Sequence, residues 1–399
     1  MPEPVVPLTV PQPTSSPESP PRFVGQLNLF TGALEPVPID VPDPPQPGEI
    51  RIDDGITLVK TEDSSQLVLS GFGIFLRKKS ERLLVTKSSN VVYQFPFFRV
   101  NEVVIASRGI SFSSDLIEAL CEQGVRVSFL DSRGQPYAML TSPMLTATVH
   151  ARREQLLAFH DQRGLTFARA VVVGKIANQE RLLRYFGKHL KKSAPDRFAG
   201  VEPAANALKA QRTAAAAVDG DCIDEVRNSL MGIEGMAGKL YWEGVRTIVG
   251  HRVEFFGREH RGAVDAVNSL LNYGYGILYS QVWGAVLNAG LEPFAGFLHV
   301  DRPGKPSLVL DLVEEFRQPV VDRAVIAHLN LGEEIKLAQG MLEPQTRKLL
   351  VTRVLERLQA TETYQGKRYQ VRSIIQMQAR RLASFLRGDG QYKAFAFKW

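Results

Sequence analysis

Cysteine is scarce: the 399 residues hold two, Cys121 and Cys222. Two thiols cannot build a disulfide framework, and these are not spaced as a zinc site, so a reducing compartment and two buried thiols are expected. No run approaches the roughly 18 to 20 uninterrupted apolar residues of a membrane-spanning helix, and no basic stretch followed by an apolar run opens the chain. A soluble, unsecreted, cytoplasmic protein without membrane contact is expected. Also missing are a phosphate-binding P-loop, a His-Glu-x-x-His helix and a serine-nucleophile elbow, so none of those chemistries is indicated. The length excludes a single small domain and allows two or three with real cores.

What is present is uneven in charge. The chain carries a net +6 overall, but residues 1 to 65 hold three basic and ten acidic side chains, which leaves +13 for the remainder. From 340 to 399, twelve Lys or Arg face four Asp or Glu, with Tyr364, Tyr369, Phe385, Tyr392, Phe395, Phe397 and Trp399 interleaved. That mixture suits a polyanion bound through counterion release and stacking, Arg380 and Arg381 being candidate contacts, or else a solvated basic helix face beside core aromatics.

Proline divides the chain. Fourteen of 24 prolines lie between Pro2 and Pro47, so residues 1 to 60 are expected to be a disordered or extended tail or linker outside the catalytic fold. From 61 to 148, short β-branched and aromatic runs such as Leu67-Val-Leu69, Ile74-Phe-Leu76, Leu83-Leu-Val85, Val103-Val-Ile105 and Val125-Arg-Val-Ser-Phe-Leu130 predict a small β-rich domain. One helix interrupts it, opened by Ser113 or Ser114 and closed by Gly124. From 149 to 399 the apolar period becomes 3.6, predicting a larger, all-helical domain. Its helices are expected at 166 to 190, 223 to 247, 264 to 288, 307 to 316, 320 to 337, 344 to 359 and 368 to 386, with Ala-rich 204 to 217 as an exposed helix or a loop. The fold class is therefore α+β.

Two constellations carry chemistry. In Ser307-Leu-Val-Leu-Asp-Leu-Val-Glu-Glu-Phe-Arg317, read as a helix capped by Ser307, Asp311, Glu314 and Arg317 fall about 60° apart on one face. Two carboxylates on a partly buried face repel unless a cation lies between them, and a metal is the economical explanation. In Ser229 to Trp242, Gly232, Gly235 and Gly238 surround Glu234. Each glycine costs a helix about 0.5 to 1 kcal/mol relative to alanine, so the bare surface serves either close helix packing or close approach of a ligand or metal.

The order of these pieces, over roughly residues 65 to 399, resembles the CRISPR-associated Cas1 integrase family. The resemblance runs through Val125 to Leu130 with the Gly134 turn, Arg152, Gln155, Gly174-Lys-Ile-Ala-Asn-Gln179, Gly232-Ile-Glu-Gly235, Tyr241-Trp242, Asp265 to Tyr275, Gly290-Leu-Glu-Pro293, Gly296-Phe-Leu-His299 and Asp311 to Arg317. It implies a β-rich domain before a helical catalytic domain, and a divalent metal bound by Glu234, His299 and Glu314, with Asp311 beside them and the direct ligand of that pair left open. Two carboxylates and an imidazole suit Mg²⁺ or Mn²⁺. Lys175, Asn178, Arg258 and Arg317 are either phosphate clamps or exposed or salt-bridged residues. The implied function is joining 3′-hydroxyl ends of short DNA fragments to a repeat array by transesterification, with endonuclease activity. The implied partners are double-stranded DNA, a second copy of the chain in a homodimer, and a small Cas2-type protein. The alternatives are a non-catalytic DNA-binding scaffold and an unrelated metal-dependent phosphoesterase.

Overall fold

The computed structural model describes residues 22–27, 34–39, 50–53, 55–60, 65–140, 148–259, 265–338 and 340–398. Strand Arg22–Leu27 (β1) pairs antiparallel with Leu34–Ile39 (β2). The β-rich domain then comprises β3 (Ile50–Asp53), β4 (Ile56–Lys60), β5 (Ser65–Leu69), β6 (Ile74–Lys79), β7 (Arg82–Lys87), β8 (Asn90–Pro96), β9 (Val100–Ile105), β10 (Ile110–Phe112), α1 (Ser114–Glu122), β11 (Arg126–Leu130) and β12 (Pro136–Leu140). They form a six-stranded sheet, β12-β11-β9-β5-β4-β3, and a four-stranded sheet, β10-β6-β7-β8. Alternation along the strands sends Leu58, Leu67, Leu76, Leu83, Val103 and Val127 into a common core, closed by Leu116 and Leu120 of α1.

The boundary expected at residue 60 is corrected. β3 and β4 belong to the six-stranded sheet, where Ile56, Thr57 and Leu58 are all buried, so this β-branched and apolar run outweighs the acidic neighbours. Further up the expected tail, β1 and β2 form a paired two-stranded sheet, and residues 1–21, 28–33 and 40–49 lie outside the described residues. Cys121 and Cys222 are half-buried free thiols rather than buried ones.

The second domain is mainly helical: α2 (Thr148–Ala158), α3 (Gln162–Ser193), α4 (Pro195–Ala216), α5 (Ile223–Val249), α6 (Ala266–Asn288), α7 (Ser307–Val313), α8 (Arg323–Asn330), α9 (Pro344–Gln359) and α10 (Val371–Leu386). Two small hairpins interrupt the helices, β13 (Leu337–Ala338) with β14 (Met341–Leu342) and β15 (Thr361–Tyr364) with β16 (Lys367–Gln370). The alanine-rich segment is a packed helix, since Ala205, Leu208 and Ala215 of α4 are buried. The helix expected over 307 to 316 stops at Val313 and continues, after a turn, as a π-helical segment Arg317–Asp322. The helix expected over 320 to 337 ends at Asn330, where Gly332 at φ 72° turns the chain.

The domains lock together where the turn between β11 and β12 meets α6. A Cβ on Gly276 would stand 1.5 Å from the Gly134 carbonyl oxygen, so only a glycine lets the turn seat there. No described helix is long and apolar enough to cross a membrane.

Candidate active site

Glu234 sits midway along α5, Lys175 midway along α3, His299 in the loop before α7, and Glu314 just beyond it. All four line one cavity of about 800 Å³, with Arg258, Tyr275, Lys305 and Arg317. Glu234 and Glu314 are thus brought together across 80 residues of sequence. Their common neighbour is Lys175, whose ammonium bonds Glu234 Oε1 and lies 2.6 Å from Glu314 Oε2. Burial opposes the Lys175 charge, but Glu314 and Glu234 outweigh it and hold its pKa above the ordinary lysine value. Burial likewise opposes ionisation of Glu314, yet Arg317, Lys175 and His299 hold its carboxyl below the usual range. Arg317 Nη2 lies 3.1 Å from Glu314 Oε1.

Asp311 does different work. Fully buried, its carboxylate accepts from the backbone N–H of Phe297 at 2.7 Å, Leu298 at 3.0 Å and His299 at 2.9 Å, and contacts His299 Nδ1 at 2.7 Å. With Nδ1 donating to Asp311, the ring offers Nε2 as its lone-pair nitrogen. Asp311 therefore positions the histidine, with both of its oxygens engaged. Ser307, expected as a cap, is the first residue of α7. Its hydroxyl accepts from Gly296 N–H at 2.9 Å and donates to the Phe294 carbonyl at 2.5 Å, fixing the same loop from its other end.

Of the expected phosphate clamps, Arg258 and Arg317 line the cavity, held against the Tyr275 ring at 5.3 and 4.7 Å. Lys175 is engaged by carboxylates in this arrangement. Asn178 is corrected: fully buried, it donates to the carbonyls of Glu315 and Phe395 and accepts from Phe397 N–H, holding the C-terminal segment on α3. Arg380 is exposed on α10, Arg381 donates to the Gln391 carbonyl, and neither lines the cavity.

Sequence reasoning missed Asp322. It is buried beneath Arg317 and Arg258 and accepts from the hydroxyls of Tyr241, at 2.7 Å, and Tyr275. The available signal was an aspartate inside the apolar run Pro319 to Ile326. Asp322 anchors Tyr275, and Tyr275 carries both arginines.

The glycines of α5 are settled by space. A methyl group added at Gly232, Gly235 or Gly238 would meet nothing within 4 Å among the described residues, so no described helix packs closely on them. Gly235 and Gly238 line the cavity, which leaves a smooth wall beside Glu234.

Among the described residues no three His, Cys, Asp or Glu side chains stand together as a ready metal cage. The donor set nevertheless fits a divalent ion. Two carboxylates and an imidazole face one cavity, no directional hydrogen bond from the described residues reaches Glu314 Oε2, and a cation, Lys175, already stands between the glutamates.

Comparison with known proteins places these residues in a wider setting. The family model described as CRISPR associated protein Cas1 matches residues 67–356. The CRISPR-associated endonuclease Cas1 1 of Francisella tularensis subsp. novicida is 37% identical over 334 residues, 84% of this chain and 99% of that protein. The protein of the same name from Archaeoglobus fulgidus is 36% identical over 346 residues, 84% of this chain and 100% of its own length. Among solved structures, a casposase bound to integration product aligns with a TM-score of 0.67 at 24% identity, covering 82% of this chain and 92% of that one. A Cas1 protein from Thermotoga maritima aligns at 0.65 and 21% identity, covering 84% and 99%. At these identities the structural likeness establishes the fold.

Proposed function

The chain belongs to the CRISPR-associated Cas1 family, and from that premise we propose that it is a divalent-metal-dependent DNA integrase and endonuclease of CRISPR adaptation. Its reaction is the joining of a DNA 3′-hydroxyl to a repeat-array phosphodiester. A new phosphorus–oxygen bond forms as the hydroxyl loses its proton, and the bond to the displaced 3′-oxygen breaks as that oxygen gains one. Water in place of the hydroxyl gives hydrolysis. The observation that carries the reading is the convergence of Glu234, Glu314 and Asp311-locked His299 on one cavity.

Glu234, Glu314 and His299 Nε2 would hold Mg²⁺ or Mn²⁺, which supplies charge stabilisation at the phosphate and a lower pKa for the attacking hydroxyl. Asp311 keeps His299 in the tautomer that presents Nε2. Lys175, which bonds both glutamates, would supply an ammonium for phosphate oxygens in the same cavity. Arg317 and Arg258, braced on Tyr275, and Lys305 hold the flanking phosphates. The smooth wall at Gly235 and Gly238 admits the sugar-phosphate backbone beside Glu234. The partners in this reading are double-stranded DNA, a second copy of the chain, and a small Cas2-type protein. One chain of a solved Cas6-RT-Cas1–Cas2 complex aligns with 92% of this chain and 38% of its own length at a TM-score of 0.68 and 20% identity.

One observation favours the alternative, a non-catalytic DNA-binding scaffold: Lys175 already neutralises the two glutamates without a metal. Integration into a supercoiled repeat plasmid, with the small partner and Mg²⁺ or Mn²⁺, separates the two. Glu234→Gln, His299→Ala and Glu314→Gln should each abolish joining and cleavage while DNA binding survives. Asp311→Asn should impair joining and lower stability, because buried N–H groups lose their acceptor, at about 1 to 3 kcal/mol each. Near-normal joining by all four variants leaves the scaffold reading.

A further inference from the structure

Glu314 stands where the helical region is least regular. α7 ends at Val313, and the next three N–H groups reach back only three residues: Glu314 to the Asp311 carbonyl at 3.3 Å, Glu315 to Leu312 at 3.4 Å and Phe316 to Val313 at 2.9 Å. Two of these exceed the roughly 2.7 to 3.2 Å of a well-made N–H···O bond. The backbone that carries a metal-ligand carboxylate is therefore weakly fixed by its own turn.

What fixes it lies behind. Residues 391 to 398 follow α10 without regular secondary structure, and none of them lines the catalytic cavity. On the turn, the Glu315 carboxyl accepts from Phe395 N–H at 2.7 Å and from the Tyr392 hydroxyl. The Phe316 ring stacks on Phe395, with centroids 5.4 Å apart and planes 15° from parallel. On α3, a Cβ at Gly174 would stand 2.5 Å from Ala394 Cβ, so the segment rests on the helix one residue before Lys175. Asn178, three residues past Lys175, joins the pieces. Its Nδ2 donates to the carbonyls of Glu315 at 2.9 Å and Phe395 at 3.0 Å, and its Oδ1 accepts from Phe397 N–H at 3.2 Å. Gln378 of α10 closes the other side, donating to Glu315 Oε2 at 2.6 Å and the Lys393 carbonyl at 3.1 Å.

These contacts share one property. Gly174, Asn178, Glu315 and Phe316 are the sequence neighbours of Lys175, Gln179, Glu314 and Arg317, all of which line the cavity. The segment thus grips, from behind, the two elements whose side chains meet in front. Asn178 and Gln378 are fully buried, so an amide that lost its partners there would have no water to replace them.

We propose that residues 391 to 398 are a strap that positions the active site, with Asn178 as its latch: the strap fixes the Glu314 turn against the Lys175 helix and so sets the affinity for the divalent ion. The ion itself rests on the integrase reading. Asn178 and Tyr392 are positioning residues, acting through Glu314 rather than on the substrate.

Titration of the metal-free full chain with Mn²⁺, followed by the electron paramagnetic resonance signal of the free ion, reads binding without the reaction. Asn178→Ala should weaken Mn²⁺ binding by about 10- to 100-fold, as loss of an outer partner does at metal sites. Tyr392→Phe keeps the ring against Phe167 and loses only the hydroxyl, and should weaken it by about two- to tenfold. Duplex DNA affinity in EDTA should match the parent, and joining should return towards the parent rate at saturating Mn²⁺. Gln66→Ala removes a buried amide that bonds Glu102 in the β-rich domain, and should lower the melting temperature while keeping the parent's Mn²⁺ affinity. Parent-like Mn²⁺ affinity in both strap variants overturns the proposal. An equal loss in Gln66→Ala also overturns it, since the effect would then be general loosening. If Asn178→Ala does not fold, Tyr392→Phe decides alone, and parent-like affinity in it overturns the proposal. Glu234→Gln binding Mn²⁺ as the parent does would sink the metal reading, whereas loss of Mn²⁺ by Glu234→Gln beside parent-like strap variants would sink the strap alone.

Discussion

Glu315 offers a test of the packing behind the site that does not involve the reaction. It is fully buried, and its carboxyl accepts from Phe395 N–H at 2.7 Å, Gln378 Nε2 at 2.6 Å and the Tyr392 hydroxyl, tying the C-terminal segment to the strand of chain that carries Glu314. Burial pushes its pKa up from 4.5 to about 7, against the pull of those donors. Below pH 4.5 both the closed and the opened segment carry the proton, and there is no penalty. Between 4.5 and 7 the opened form gives up a proton that the closed form keeps, so stability falls by about 1.4 kcal/mol per pH unit and then stays level. The whole loss is about 3 kcal/mol. Glu315→Gln keeps the neutral shape, its amide oxygen accepting from Phe395 and Gln378 and its NH₂ facing the Tyr392 oxygen. Allowing about 1 kcal/mol for imperfect hydrogen bonds, the variant should hold the segment more firmly than the parent by about 2 kcal/mol at pH 8, and no more firmly at pH 5. Hydrogen exchange of the Phe395 amide reads this local opening without requiring two-state unfolding of the whole chain. At pH 8 it should be roughly thirtyfold slower in the variant. A variant-to-parent ratio that is the same at pH 5 and pH 8 would refute the assignment of a neutral buried Glu315.

Gly235→Ala should stabilise α5 by about 0.5 to 1 kcal/mol, since its Cβ meets nothing within 4 Å. Gly235→Leu should keep the fold, by thermal melting, while cutting joining at least tenfold, and a fully active Leu variant would show that no ligand approaches that wall. Deleting residues 1 to 49 should leave a folded, active protein, whereas deleting 1 to 60 removes β3 and β4 with buried Ile56 and Leu58 and should leave the β-rich domain unfolded by circular dichroism. Equal behaviour of the two truncations would disprove the corrected boundary.

Local pattern made the strands from Leu67 to Leu140 and the long helices readable, because period 2 and period 3.6 are properties of neighbouring residues. The same reasoning fails at the site for a definable cause. A 60° offset between Asp311, Glu314 and Arg317 holds on a continuous helix, but α7 ends at Val313 and the chain turns before the π-helical segment begins. Asp311 consequently faces backward to the His299 loop while Glu314 faces the cavity. Lys175 and Asn178, three apart on α3, diverge in the same way. One meets Glu234 and Glu314, while the other is covered by Phe395 and Phe397, more than 200 residues onward.

The glycines around Glu234 show where composition stops and space begins. Their spacing is equally compatible with a partner helix and with an open wall, since both require a surface without side chains. Only the surroundings distinguish the two, and here Gly164, Gly244 and Gly274 supply the contrast. A Cβ at each of these would lie 2.5 to 2.7 Å from Ala158, Leu183 or Val321, as close packing demands. At Gly232, Gly235 and Gly238 there is nothing to meet. A helix that gives up about 1.5 to 3 kcal/mol over three glycines without gaining contacts among the described residues has placed that cost beside the cavity-lining carboxylate Glu234. On the proposed function the bare wall is where a sugar-phosphate backbone would come within reach of Glu234, with Arg258, Lys305 and Arg317 supplying positive charge in the same cavity.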